Sequence, residues 1–143
     1  MTPVRWPSWP AWLAVAIGGI AGTELRYGLG LLFPEQAGAI PWTTLGINVT
    51  GSFVLALLTT IWMARPHTSF WLRAGLGPGL LGSFTTFSAV VYSLDSLAID
   101  GLYLPMTGYL ALSLLLGLGA AAAGWRAGRS IPLRALSQDR DPR

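Results

Sequence analysis

A hydrophobic run near the middle of the chain is interrupted by the small and polar stretch Gly79-Leu80-Leu81-Gly82-Ser83-Phe84-Thr85-Thr86-Phe87-Ser88. Lipid offers no hydrogen bonds, so irregular or polar backbone at membrane depth survives only where protein covers it or where it borders a cavity. Breaks of this kind in membrane helices are typical of ion-handling sites. The stretch therefore predicts a broken membrane helix and places the functional site at the break.

The composition around this break indicates an integral membrane protein. Of the 143 residues, 52% are hydrophobic and 10% are charged, whereas about 25% are charged in an ordinary soluble domain. A spanning helix needs about 20 predominantly apolar residues. The sequence predicts an all-α integral membrane fold in one domain over residues 1–143, with four transmembrane helices at about 11–32, 42–63, 74–96 and 102–125 and a polar tail at 126–143.

The residue inventory argues against an enzyme and against a nucleic-acid-binding protein. The chain has no cysteine, and its single histidine, His67, lies in a predicted loop without a second histidine to share a metal. The arginines are spread over the termini and one loop, so no fold presents them as a nucleic-acid surface.

The charges predict the topology. Every basic residue is an arginine, and eight of the nine fall on one side of a four-span chain: Arg5, Arg65, Arg73, Arg126, Arg129, Arg134, Arg140 and Arg143. The opposite side holds Glu35, Asp95 and Asp100. The positive-inside rule then places both termini in the cytoplasm.

Polar residues recur at helical spacing within two of the spans. Thr44, Asn48 and Ser52 fall near one face of the second span. Tyr109, Ser113 and Gly117 do so on the fourth. Small and hydroxyl residues can serve close helix packing alone. A carboxamide at mid-membrane depth needs several partners, so Asn48 favours a bundle-facing, pathway-lining role.

Three ordered motifs resemble the CrcB/Fluc family of fluoride channels. Residues 18–27, GGIAGTELRY, resemble the family's GGxxGAxxRY signature. Residues 44–53, TLGINVTGSF, look like its TLxxNxxGSF second helix, and residues 79–88 look like its GxxGGxTTFS third helix. The resemblance covers the chain from residue 18 to about residue 124.

This resemblance implies a passive, fluoride-selective channel that exports cytoplasmic fluoride, built as an antiparallel dimer with a structural sodium ion at its centre. Backbone carbonyls of Gly82 and Thr85 would hold the sodium. Donors along the fluoride path would come from one amide and several hydroxyl groups, those of Asn48, Thr86, Ser88, Tyr109 and Ser113. The ring edge of Phe87 would face the anion, and Arg26 would draw anions to the entrance or extend to the interface.

Two departures from the family pattern leave alternatives open. Val90 stands where the family has a second pore phenylalanine, which suggests a non-conducting accessory subunit as one alternative. Glu24 is an acid within the first span, and a proton-coupled small multidrug-resistance exporter would use such a residue. Neither Asn48 nor the Thr-Thr-Phe-Ser break is explained by the exporter hypothesis.

The arginine bias also bears on the partner. An antiparallel homodimer requires insertion in both orientations and therefore nearly balanced arginine on the two sides. Because this chain is strongly biased, we expect it to pair in the lipid bilayer with an inverted homologue that supplies the missing aromatic ring. A homodimer is the alternative.

Overall fold

The structure is a computed structural model that describes residues 7–36 and 38–131. Helix α1 spans Trp9–Leu32 and α2 spans Trp42–Ala64. The third helical segment, α3, consists of three consecutive parts, Phe70–Ala74, Gly75–Leu81 and Gly82–Phe84. Helix α4 spans Phe87–Ile99, and α5 spans Tyr103–Ser130. Arg5, Arg134, Arg140 and Arg143 of the topology argument lie outside the described residues.

Three helical stretches are long and apolar enough to cross a membrane, namely Trp42–Ala64, Phe70–Ile99 and Tyr103–Ser130. The chain is thus an all-helical, multi-pass membrane protein. Helix α1 is also long, with 24 residues, but it carries Glu24, Arg26 and several glycines, which lower its mean hydropathy.

The middle part of α3 is a wider, π-helical stretch over Gly75–Leu81 that contains Pro78. A proline ring clashes with the carbonyl four residues earlier in an α-helix. The wider π turn separates these groups, and the Gly82 amide accordingly donates to the Gly77 carbonyl, five residues back. Such π turns are frequent at functional sites.

Glycines set the closest helix contacts. A Cβ on Gly18 would collide with the carbonyl oxygen of Gly75, and one on Gly22 with that of Leu80, so α1 and α3 pack backbone to backbone. Gly124 of α5 likewise abuts the Phe53 carbonyl of α2. Small residues permit this approach in membrane helices, where dispersion contacts replace the hydrophobic effect as the packing force. The bundle therefore consists of an α1–α3 pair and an α2–α5 pair.

Several helices extend past the predicted spans. The predicted spans leave out Arg73 and Arg126, whereas the structure includes them in α3 and α5. The turn before α5 is accordingly short, with Gly101 at φ +72°. A boundary drawn at the first charge stops too early, because a helix continues into the interface while its charged side chains reach water. Residues 132–143 of the predicted tail lie outside the described part of the chain.

Candidate functional site

The candidate site is built on the interruption between α3 and α4. Helix α3 ends at Phe84, which is buried against Ile47 and Leu81. Thr85 and Thr86 then adopt extended backbone, with φ/ψ of −82°/150° and −152°/124°. Helix α4 restarts at Phe87. The buried phenyl ring fixes where the helix ends, and the two threonines carry the chain across the gap.

Asn48 of α2 clamps the backbone of Thr86. Its Nδ2 donates to the Thr86 carbonyl oxygen at 2.9 Å, and its Oδ1 accepts the Thr86 N–H at 2.8 Å. The carboxamide therefore supplies both hydrogen bonds that an extended residue lacks at membrane depth. One of the two Nδ2 hydrogens remains for a further acceptor.

The Asn48 clamp and the Thr86 hydroxyl each release one backbone carbonyl. In a continuous helix the Thr86 amide would donate to the carbonyl of Gly82, and the Ala89 amide to that of Thr85. The Thr86 amide instead donates to Asn48, and the Ala89 amide donates to the Thr86 Oγ1 at 3.3 Å. Free carbonyl oxygens are suitable ligands for a hard cation. Gly82 and Thr85 are the residues that could hold one here.

Thr86 also caps the N-terminus of α4. Its Oγ1 accepts from Ala89 and lies 2.8 Å from the Ser88 Oγ. No acceptor for the Phe87 and Ser88 backbone amides is found among the described residues. Unpaired amides and the helix dipole make such an end attractive to anions. The break thus offers carbonyls from one helix and amides from the next.

The side chain of Thr85 faces α2. Its Oγ1 donates to the Leu81 carbonyl at 2.8 Å, which turns its methyl group toward Gly51. A Cβ on Gly51 would collide with that methyl group. The glycine therefore lets the extended backbone lie against α2, one turn from Asn48.

A groove of about 440 Å³ runs beside the break between α2 and α5. It brings together six of the predicted site residues, namely Asn48, Gly82, Thr85, Thr86, Phe87 and, on its far wall, Ser113. Ser52 and Gly117 of the predicted polar faces also line it. Helical periodicity places polar residues on one face of α2 and on one face of α5, and these two faces border the same groove.

Two hydroxyl groups on α5 lack partners in this arrangement. The Tyr109 hydroxyl oxygen and the Ser113 Oγ are buried, and neither has a hydrogen-bond partner among the described residues. Tyr109 is fully buried against Leu45 and Val90, so its ring does not line the groove. Buried hydroxyls without partners are costly, and of the two residues Ser113 is the one that lines the groove, where a ligand could reach it.

The remaining predicted residues lie at or beyond the edge of the groove. Arg26 lines a separate cavity of about 180 Å³. Glu35, Thr44 and Thr86 also line this cavity. In that cavity the Glu35 carboxylate caps α2 by accepting from the Thr44 amide at 2.7 Å. Ser88 is exposed beside Thr86. Glu24 is exposed on α1 and lines neither the groove nor this cavity.

The two positions of the aromatic pattern differ in their surroundings. Phe87 lines the groove and is 68% exposed, so its ring is free to meet a partner. Val90 also lines the groove but is only 3% exposed. Its side chain is smaller than the phenylalanine of the family pattern and packs against Leu45 and Tyr109.

Sequence reasoning missed part of the lining. Leu110 and Leu114 form the apolar wall, and apolar residues on a membrane helix give no signal of their own. The free Phe87 and Ser88 amides were also missed, although a threonine three residues before Ala89 is an N-cap signal that could have found them.

Comparison with known proteins places these features in a family. The model of the family described as CrcB-like protein, Camphor Resistance (CrcB), matches residues 13–125. A protein of Geobacillus kaustophilus named fluoride-specific ion channel FluC 2 is 42% identical over 117 residues, which cover 81% of this chain and 91% of the relative. The Chloroflexus aurantiacus fluoride-specific ion channel FluC is 42% identical over 118 residues, covering 82% and 94%. The fluoride-specific ion channel FluC of Rhizobium meliloti is 41% identical over 115 residues, which cover 78% of this chain and 90% of the relative. These relatives are named as ion channels, and none of the three is named as an enzyme.

Proposed function

Because the chain belongs to the CrcB-like protein family of fluoride-specific channels, we propose that it forms a passive, fluoride-selective path that exports cytoplasmic fluoride and confers fluoride resistance. The membership confirms the resemblance carried by the three sequence motifs. The observation that carries the proposal is the Asn48 clamp, which opens a helix at membrane depth and leaves unpaired amides and hydroxyls around one groove.

In the proposed architecture α1 is the first of four transmembrane helices, and α3 and α4 together form a broken third. The 24 residues of α1 correspond to about 36 Å, enough to cross a bilayer core of about 30 Å. Two such subunits pair in antiparallel orientation. An interrupted backbone is tolerated at this depth because Asn48 satisfies it and the groove borders it.

Fluoride is small and strongly hydrated, so the path must replace its water with hydrogen-bond donors. In our proposal the free Nδ2 hydrogen of Asn48 and the hydroxyls of Thr86, Ser88, Tyr109 and Ser113 supply them. The Phe87 and Ser88 amides add a positive helix end without a full charge that would trap the anion. The exposed Phe87 ring offers its positive edge.

Arg26 is the proposed entrance residue. It shares a cavity with Thr86, so an anion drawn to its guanidinium meets the break next. Glu35 lines the same cavity but caps α2, and this hydrogen bond directs its carboxylate to the Thr44 amide. Arginine and carboxylate together keep the entrance from binding anions too tightly.

A sodium ion at the dimer centre is proposed to join the subunits. The Gly82 and Thr85 carbonyls, freed of their helical partners, fit a hard cation that prefers oxygen ligands. When bound, sodium would supply charge compensation for carbonyl groups brought together from two subunits. Backbone ligation also explains why Ser83 can replace the family's glycine without loss of the site.

The proposed partner is an inverted homologue in the inner membrane of a bacterium, with both termini of this chain in the cytoplasm. Among the described arginines, Arg65, Arg73, Arg126 and Arg129 lie at one end of the bundle. Such a bias opposes insertion in both orientations. A homodimer of dual topology is the alternative within the same function.

A second candidate, a non-conducting accessory subunit, is favoured by Val90. The groove beside this buried valine has the ring of Phe87 but lacks the second phenylalanine of the family pattern. The exporter alternative has no comparable support, because Glu24 borders neither the groove nor the entrance cavity.

Fluoride efflux from liposomes tests the proposal, with chloride as the control anion. The protein is reconstituted alone and then with its inverted homologue. Flux that appears only with the homologue supports the heterodimer, and flux from the protein alone establishes a homodimer. Absence of fluoride flux in both preparations contradicts the channel and favours the accessory role. The driving force is ample, since the membrane potential contributes about 2.3 kcal/mol per charge per 100 mV.

A further inference from the structure

The cytoplasmic end of α5 carries a ridge of three exposed residues, Trp125, Arg126 and Arg129, which the proposed function does not use. Its direction is fixed by packing. Gly124 and Gly128 contact Phe53, Leu57 and Thr60 of α2 so closely that α5 cannot rotate. At about 100° per residue, Arg126 and Arg129 lie about 180° and about 120° around the helix from the mean direction of these glycines. The ridge therefore faces away from α2.

The depth of the ridge coincides with a membrane interface. Tyr103 begins α5 and is 63% exposed, and Trp125 lies near the other end and is 48% exposed. A rise of 1.5 Å per residue separates them by about 33 Å, close to the thickness of a bilayer core. Tyrosine and tryptophan prefer the two interfaces. Arg126 and Arg129 then lie at the level of the lipid headgroups.

The Arg129 guanidinium is preorganised by a contact with the Trp125 ring. The Arg129 guanidinium carbon lies 4.7 Å from the centroid of the Trp125 ring. Stacking of this kind leaves the N–H edges of the guanidinium free. Arg126 is one helical turn away on the same side. Glu35, Asp95 and Asp100 are at the opposite end of the bundle, and Glu24 is exposed on α1, so the described carboxylates do not neutralise the ridge.

We propose that the Trp125–Arg126–Arg129 ridge binds the phosphate headgroup of an anionic phospholipid from the cytoplasmic leaflet. Two arginines one turn apart match a phosphate, which accepts several charge-assisted hydrogen bonds. The indole packs against the upper acyl chain. A zwitterionic choline lipid fits less well, because it brings its own cation to an already positive surface.

Tryptophan quenching in vesicles tests this proposal on the full-length protein. Vesicles contain brominated phosphatidylglycerol or brominated phosphatidylcholine at equal mole fraction, and the Trp125→Phe variant isolates the signal of Trp125. Each arginine should raise the local concentration of the anionic lipid at the ridge about fivefold. Half-maximal quenching of Trp125 should therefore require a lower mole fraction of brominated phosphatidylglycerol than of brominated phosphatidylcholine. Arg126→Gln and Arg129→Gln should each remove much of this preference.

The matched control is Arg65→Gln, which removes the same charge at the same end of the bundle but outside the ridge. It should keep the preference. Equal quenching of Trp125 by the two lipids overturns the proposal, and so does a preference that survives both ridge substitutions. A preference abolished by added inorganic phosphate would identify a free anion as the occupant and overturn it as well. Elution of each variant at the size of the unmodified protein excludes misfolding as the cause.

Discussion

Asn48 and Thr86, which are 38 positions apart in the chain, are joined by two hydrogen bonds of 2.9 and 2.8 Å between one carboxamide and one peptide backbone. A single side chain thus replaces the two helical bonds that Thr86 gives up. Because lipid supplies no substitute, the open conformation of the third helix depends on this residue.

Replacement of Asn48 should close or distort the break. Asn48→Asp keeps an acceptor for the Thr86 amide but loses the donor to its carbonyl and places a negative charge beside the anion path. We expect a loss of fluoride efflux of at least about 100-fold, and a destabilisation of about 1–3 kcal/mol for the unpaired groups. Thr59→Val, on the same helix but outside the groove, is the control and should leave both quantities unchanged. Near-normal efflux from Asn48→Asp would contradict the clamp.

Gly51 provides a second test of the same backbone. Gly51→Ala introduces a methyl group where the Thr85 side chain lies, so Thr85 must move and the groove must change shape. Overpacking of this kind costs about 1–3 kcal/mol. Gly46→Ala is the matched control on α2, because its Cβ meets nothing within 4 Å. Gly51→Ala should lower both the midpoint of thermal unfolding and the rate of fluoride efflux, whereas Gly46→Ala should lower neither. An equal effect of the two substitutions would show that Thr85 has room to move.

Much of the fold could be predicted from the sequence, because apolar runs and arginine bias report directly on the membrane. The three stretches long and apolar enough to span it lie where hydropathy predicts them. The ends of the helices could not be predicted, since Arg73 and Arg126 continue their helices into the interface. The partner of Asn48 was also beyond reach, because periodicity places a residue on a face and does not identify what lies opposite.

Replacement by alanine should disrupt helix packing at Gly124 of α5 but not at Gly119 of the same helix. Gly124→Ala would drive a methyl group into the Phe53 carbonyl and separate α2 from α5, whereas the Cβ of Gly119→Ala meets nothing within 4 Å. The first variant should lower the midpoint of thermal unfolding in detergent. The second should keep or raise it, since alanine favours a helix by up to about 1 kcal/mol over glycine. The reverse order would contradict the α2–α5 contact.

Val90→Phe tests whether the missing ring limits conduction. In the assembly with the inverted homologue, the pore bordered by Val90 lacks one aromatic edge, so this substitution should raise fluoride efflux by about twofold if one of two pores is silent. The groove beside Val90 gives the ring space. Val90→Leu, which adds volume without an aromatic edge, is the control and should not raise efflux. An unchanged rate with Val90→Phe would mean that the valine-lined pore already conducts or that another feature closes it.

Sodium should stabilise the assembly through backbone oxygens. A ligand that binds only the native assembly raises its stability in proportion to the logarithm of ligand concentration above the dissociation constant. The unfolding midpoint should therefore rise when sodium chloride replaces choline chloride at equal ionic strength. Thr85→Ala should retain this response, because it removes a hydroxyl that bonds Leu81 and leaves the carbonyl in place. Asn48→Ala should lose it, because without a side-chain acceptor the Thr86 amide can return to the Gly82 carbonyl. Loss of the sodium response in Thr85→Ala together with its retention in Asn48→Ala would assign the cation to the side chain and refute ligation by the backbone.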